Sequence, residues 1–150
     1  MNLYDLLHDD HEKVKGLFQQ LEVIRESESA KRERVFSSLF QEVDVHAMAE
    51  ERFFYSRLKN DEDTRELALE AMDEHKVITR LMEELDAMDK GSPEWRARLK
   101  VLRQDVEQHI RDEETELFPQ ARKVLDEDEA DAIAEEIEAF KEEHSELEAY

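Results

Sequence analysis

Apolar residues recur along this chain at three- and four-residue intervals, and the rhythm breaks at a few polar runs. From about Asn2 to Arg25, Leu3, Leu6, Leu7, Val14, Leu17, Phe18, Leu21 and Ile24 form one stripe, which predicts an amphipathic helix with His11 on its apolar face. Gly16 inside it costs about 1 kcal/mol relative to alanine and is read as a close-packing point. The polar run Glu26-Ser27-Glu28-Ser29 ends this stripe. A second helix is predicted from about Ala30 to Lys59, with Val35, Phe36, Leu39, Val43, Phe53, Phe54 and Leu58 as core candidates. After the polar run Asn60 to Asp63, a third is predicted from about Thr64 to Lys90, carrying Leu67, Ala71, Met72, Ile78, Leu81, Met82 and Leu85.

Gly91-Ser92-Pro93 is the clearest punctuation: Gly to end one helix, Ser to cap the next, Pro for its first turn. The fourth helix carries Trp95, Leu99, Leu102, Val106 and Leu117 as far as Pro119, which is expected to kink or end it. A last segment, about Glu127 to Leu147, shows Ile133, Ile137, Phe140 and Leu147 on one face and reads as a shorter helix packed across the others. With two Gly, two Pro and no alternating strand pattern, the expected class is all-α. Short turns make consecutive long helices antiparallel neighbours, so the prediction is one domain over residues 1–150. It is an up-down-up-down four-helix bundle with a short C-terminal fifth helix.

That topology fixes depth. Measured from turn centres near Ser27, Asp61 and Gly91, the positions of His11, His46, His75 and His109 differ by about one helical turn or less, at ~1.5 Å per residue. All four histidines come to one level. The chain also repeats: His11 and His46 are 35 residues apart, His75 and His109 34 apart. DDHEKV around His11 matches DEHKVI around His75, and HAMAEERFFYSRL matches HIRDEETELFPQA. Two hairpins of this kind close with approximate two-fold symmetry.

Charge and composition narrow the partners. Acidic residues outnumber basic ones 42 to 21, a formal charge of −21, which disfavours nucleic acid and anionic lipid. The helical spacing of the apolar residues argues against a disordered acidic tail. No cysteine is present, so thiolate metal sites and thiol nucleophiles are excluded. No long uncharged apolar run or leader-like start occurs, so a soluble, cytoplasmic protein is expected.

The candidate chemistry lies in the two pairs His46-x-x-x-Glu50 and His109-x-x-x-Glu113. Residues four apart stack on one helical face, so each imidazole and carboxylate can reach the same ion. With His11 and His75 they make a candidate metal site of six donors: His11, His46, Glu50, His75, His109 and Glu113. Imidazoles with bridging carboxylates suit intermediate divalent ions, and iron is the usual occupant in a bundle core. If His11 and His46 serve one iron and His75 and His109 the other, Glu50 and Glu113 span both. The expected cofactor is two iron ions with an oxo or hydroxo bridge, leaving one position on each for O2, NO or peroxide.

Glu51 and Glu114 point about 100° away around an α-helix and are expected to face solvent. His8 is expected at the surface or as an outer partner of the site, and His144 in solvent. Tyr4 and Tyr55 are read first as packing residues, with a phenol near the site as the alternative. Phe54 and Met82 are core residues that could also shape a ligand pocket.

The ordered set His11, His46-x-x-x-Glu50, His75, His109-x-x-x-Glu113, followed by Leu117-Phe118-Pro119, resembles the hemerythrin-like (HHE cation-binding) domain over nearly the whole chain. The resemblance implies a four-helix bundle with a non-haem di-iron centre. Its members bind O2, sense oxygen or iron, respond to NO or act on peroxide. Oxygen-carrying hemerythrins have a His-x-x-x-His pair on the third helix, whereas this chain has Ala71 and Thr79 four residues either side of His75. Their last carboxylate comes as His-x-x-x-x-Asp, not His-x-x-x-Glu.

The missing fifth histidine argues against reversible O2 carriage. The pattern is closer to members linked with peroxide or NO chemistry, and to the core of di-iron proteins that repair iron centres, whose usual cysteine-bearing N-terminal region is not found in this sequence. The function expected is therefore binding or turnover of a small oxidant or gas. The alternatives are an iron- or oxygen-responsive sensor or interaction module with an unidentified protein partner, and a metal-free scaffold.

Overall fold

A computed structural model of the chain describes residues 2–148, with side chains through His144. Among the described residues there are helices and turns and no strand. Helix α1 is Leu3–Val23, started by Asn2, whose Oδ1 accepts from the Tyr4 and Asp5 N–H groups at 2.7 and 3.4 Å. Helix α2 runs Ser29–Ala49, widens into a π turn over Glu50–Tyr55 and finishes with Ser56–Leu58. Helix α3 is Arg65–Ala87. Helix α4 runs Pro93–Asp112, passes through a second π turn over Glu113–Leu117 and continues as Phe118–Val124. Helix α5 is Glu127–Glu148. The first four form the bundle, and α5 lies against α1, α2 and the first π turn.

Several sequence expectations change. Helix α5 has 22 residues over nearly the expected range, one more than α1 but fewer than α3 with 23 and than α2 and α4 with their π turns. Its Ile133, Ile137 and Phe140 are buried as expected; the side chain of Leu147 lies outside the described residues. Pro119 does not end α4. Its ring falls in the first turn of Phe118–Val124, directly after a π turn in which the Phe118 N–H reaches the Glu113 carbonyl, so the helix resumes around a residue whose missing N–H is not needed.

Helix α3 stops at Ala87 with Met88 extended, ahead of Gly91, which has no positive φ and is no left-handed cap. Ser92 and Pro93 behave as expected, the Ser92 hydroxyl accepting from the Trp95 N–H at 3.2 Å. Gly16 is not a close-packing point: a Cβ built there meets nothing within 4 Å.

The core divides into two apolar clusters, one on each side of the histidine level. One, around Phe18, Phe36, Leu85, Leu102 and Trp95, fills the end that holds the first and third turns. The other, around Leu7, Phe54, Tyr55, Leu58 and Phe118, takes in Ile133, Ile137 and Phe140 of α5. Burial of these side chains is the main force holding the rods parallel. Arg32 was not foreseen in the core, yet it is 1% exposed. Its guanidinium donates to the Ile24 and Lys90 carbonyls, with Nη1 to Lys90 O at 2.7 Å, and so ties the first and third turns together. No helix is long and apolar enough to cross a membrane.

Candidate metal centre

Between the two clusters the four bundle helices each turn one histidine inward. His11 comes from α1, His46 with Glu50 from α2, His75 from α3, and His109 with Glu113 from α4. Their donor atoms fall into two groups, His11, His46, Glu50 and Glu113 in one, and Glu50, His75, His109 and Glu113 in the other. Within each group the atoms lie within 4.8 Å of one another. Glu50 and Glu113 belong to both. Glu50 Oε1 is 2.9 Å from His46 Nε2 and 3.4 Å from His75 Nε2. Glu113 turns Oε1 to His11 Nε2 at 3.3 Å and Oε2 to His109 Nε2 at 3.5 Å. All six residues that the sequence singled out are thus brought together.

These groups could hold metal ions, and the hydrogen bonding shows why. Both glutamates are shut away from solvent, with Glu50 at 0% and Glu113 at 2% exposure. Yet Glu50 Oε1 and Oε2, Glu113 Oε1, His11 Nε2 and His46 Nε2 have no hydrogen-bond partner, because the ion-pair distances above lack hydrogen-bond alignment. Buried polar atoms left without partners are costly, and a cation placed among them satisfies several at once. His75 Nε2 and His109 Nε2 face each other at 3.0 Å. Two ring nitrogens so aimed can share one proton or give both lone pairs to an ion.

Electrostatics point the same way. Burial alone would push the His109 imidazole down, but the facing carboxylates of Glu113 and Glu74 reverse this and raise its pKa to about 10. His46 is raised in the same manner, burial being outweighed by Glu50 and Asp10, and His75 likewise by Glu50 and Glu51. Burial would lift Glu113, but the polar groups packed against it, with the His109 and His11 imidazoles 3.5 and 3.3 Å away, hold it well below the usual carboxylate range. The carboxylates thus favour positive charge among the imidazoles, and a cation entering the cluster would meet that demand while displacing protons.

Behind each histidine stands a further carboxylate. His46 Nδ1 donates to Asp10 Oδ2 at 2.9 Å, and His109 Nδ1 to Glu74 Oε1 at 2.8 Å. His11 Nδ1 donates to Glu114 Oε2 at 2.7 Å, whereas His75 Nδ1 has no hydrogen-bond partner, Glu51 Oε1 standing 3.7 Å away. Such partners fix ring orientation and strengthen the other nitrogen as a ligand. Glu51 and Glu114 therefore do not simply face solvent. His8 shares Glu114, its Nδ1 donating to Oε2 at 2.8 Å from a half-exposed position, which makes it an outer partner. His144 contacts the Phe140 ring and carbonyl, away from the site.

The π turns explain what the periodicity missed. Each begins at a metal-facing glutamate. An α-helix would set a residue five positions on about 140° around the axis, whereas a turn closed by i→i+5 bonds returns it towards the same face. Tyr55 and Phe118 are those residues. The Tyr55 hydroxyl donates to Glu113 Oε2 and lies 3.4 Å from His75 Nε2. Its pKa is raised well above that of free tyrosine by burial and then by Glu113 and Glu50, so the phenol keeps its proton. Phe118 stacks on His11, 6.3 Å between centroids, and stands between that ring and Tyr4. Tyr4 is the packing residue and Tyr55 the phenol at the site. The sequence signal for the carboxylates was present in the repeated Asp10-His11 and Glu74-His75 steps and in the doubled glutamates.

A narrow cavity of about 30 Å³ opens onto all four histidines from the Trp95 side, walled by Val14, Val43, Ala47, Ile78, Val106 and Ile110. Thr79 also lines it. Phe54 lies in the opposite cluster and Met82 at a neighbouring pocket, so neither shapes this one.

Comparison with known proteins agrees with this geometry. The family model for the hemerythrin HHE cation-binding domain matches residues 2–121. A protein named DNA nickase from Nostoc sp. is 32% identical over 144 residues, covering 94% of this chain. The chain spans 39% of that relative's length. A hemerythrin HHE cation-binding domain-containing protein from Mycobacterium kansasii has the same fold, with a TM-score of 0.85 at 23% identity over 96% of this chain and 87% of that one. Matched along its bundle and carrying the cation-facing histidines and glutamates on all four rods, the chain belongs to the hemerythrin HHE cation-binding domain family.

Proposed function

We propose that the chain holds two iron ions, one against His11 and His46 and one against His75 and His109, with Glu50 and Glu113 shared between them. The observation that carries this is the pair of buried donor groups with two common carboxylates and five unpartnered donor atoms. Iron is favoured over a softer or harder occupant by a set of four imidazoles and two carboxylates with no thiolate. Bound there, such a pair supplies redox equivalents and open positions for a small ligand.

The chain's own residues restrict that ligand. The cavity over the histidines has room on the order of one water or a diatomic molecule and almost wholly apolar walls, which suits O2, NO or peroxide and excludes bulky substrates. Tyr55 adds a protonated phenol beside Glu113, so a proton donor stands at the His75 and His109 side. Ala71 is buried in apolar packing, and Thr79 is exposed at the cavity mouth, so neither position four residues from His75 offers a fifth imidazole. This favours binding or turnover of a small oxidant over reversible carriage of O2.

Metal analysis with an optical spectrum tests the reading. About two irons per chain, lost together in His109→Ala, with near-ultraviolet absorption that responds to O2, NO or peroxide, support it. A folded, colourless, iron-free protein after iron-replete expression ends it. A second reading, a sensor domain without turnover, draws on the Nostoc relative, in which a stretch of this kind is part of a longer protein. It requires iron occupancy to change stability or exposed surface with no consumption of peroxide or O2.

A further inference from the structure

The internal repeat supplies a control for every surface around the site. Aligning His11 with His75 and His46 with His109 places Leu6, Asp10, Ala49 and Phe53 of the first hairpin opposite Glu70, Glu74, Asp112 and Glu116 of the second. In the first hairpin this cleft is closed. Leu6, Leu7 and Ala49 are buried, Phe53 meets Phe140 of α5 edge-on at 5.7 Å between centroids, and Lys141 of α5 donates to Asp10. In the second hairpin the matching cleft between α3 and α4 is a cavity of about 40 Å³ lined by Glu70, Glu74, Asp112, Glu116 and, at its floor, His109 and Glu113. Ala71 stands where the first hairpin has Leu7, which leaves the space open.

We propose that this second cleft is the path by which a divalent cation reaches the site, with Glu70, Asp112 and Glu116 as its outer binding rung. The inference rests on the metal-centre reading above. The carboxylates form a ladder in depth. Glu70 and Glu116 are exposed, Asp112 and Glu74 half-buried, and Glu113 buried, lining the cavity and turning its Oε1 onward to His11 at 3.3 Å. Glu74 joins the outside to the inside, its carboxylate 41% exposed while it accepts from His109 Nδ1 at 2.8 Å. No lysine or arginine lines the cleft.

Two other openings onto the histidines, among the described residues, are unlike it. The narrow cavity above them has no carboxylate in its wall, and the groove beside His75 sets Lys76 and Arg80 among its acids. A mouth lined by one sign of charge with low-dielectric walls concentrates the opposite ion and speeds its capture. A dry cation cannot cross an apolar wall at comparable cost. Cation and neutral ligand thus arrive by different faces.

The probe is Co2+ taken up by the metal-free full chain, with chelator-driven extraction from the loaded chain as the reverse measurement. Glu70→Gln, Asp112→Asn and Glu116→Gln combined slow uptake about tenfold or more at low salt and slow extraction by the same factor, with the final ions per chain unchanged. A control removing Asp131, Glu135 and Glu138 of the exposed face of α5 as amides leaves both rates near wild type. Equal slowing in both variants means a general charge effect and overturns the proposal. So does an unchanged rate in the cleft variant, or a lower final metal count, which would make the rung part of the resident site. If the wild-type chain takes up no ion at all, the metal-centre reading falls first and this path with it.

Discussion

Five residues beyond its shared glutamate, the first hairpin has Tyr55; at the same place the second has Phe118. Each π turn carries that residue across to the other hairpin, so a phenol reaches His75 while a plain phenyl ring stacks on His11. Behind the histidines the difference recurs in charge. Asp10, behind His46, is buried and neutralised by Lys141, whereas Glu74, behind His109, meets solvent and has no such partner among the described contacts. The backbone and the six inner donors repeat almost unchanged, and the second row of residues does not. A symmetric frame is therefore backed by unlike residues, with the Tyr55 proton donor on the His75 side only.

Removing the common members should break both halves together. Glu50→Leu or Glu113→Leu should take metal content to near zero on both sides, because each carboxylate belongs to both donor groups. One ion retained at full affinity, by plasma emission analysis, would mean that the carboxylate is not shared. Asp10→Asn and Glu74→Gln should each weaken binding about 10–100-fold on their own side, read by competition with a chelator. Lys141→Met should produce a smaller shift, confined to the His11 and His46 side, and no change on the other would be expected.

Tyr55→Phe should leave metal content intact and make the two ions more alike, so that distinct Mössbauer doublets converge. Unaltered doublets would show that the phenol does not set the asymmetry. Smallest of all, Gly16→Ala should raise stability by about 1 kcal/mol with no effect on metal, since a Cβ there meets open space. A calorimetric midpoint that falls would show that this position is less open than it looks.

How far the sequence foretold this arrangement follows from which period governs each part. The inner donors were legible because His46 and Glu50, like His109 and Glu113, lie within or at the end of regular α-helix, where a four-residue spacing fixes a shared face. Short polar runs between helices fixed depth in the same way. Beyond the glutamates the period changes, and a pattern read at 3.6 residues per turn misplaces whatever follows. Tyr55 was misjudged for that reason; Glu51 and Glu114 were misjudged because a carboxylate leaving the helix about 100° away can still approach the back of a neighbouring helix's imidazole. Arg32 was missed because a guanidinium that satisfies two turn carbonyls leaves no mark in apolar spacing. Gly91 looked like a helix cap, but the helix before it had already stopped at Ala87, and chain composition does not fix where a last turn frays. The bounds of α5 were legible, about Glu127 to Leu147 against Glu127–Glu148, because Ile133, Ile137 and Phe140 keep helical spacing within a highly acidic stretch.

Anomalous diffraction from iron-loaded crystals of the wild-type chain tests the central claim most directly. Two peaks flanked by Glu50 and Glu113, one against His11 and His46 and one against His75 and His109, are the expected result. A single peak, or peaks away from these six side chains, would contradict it.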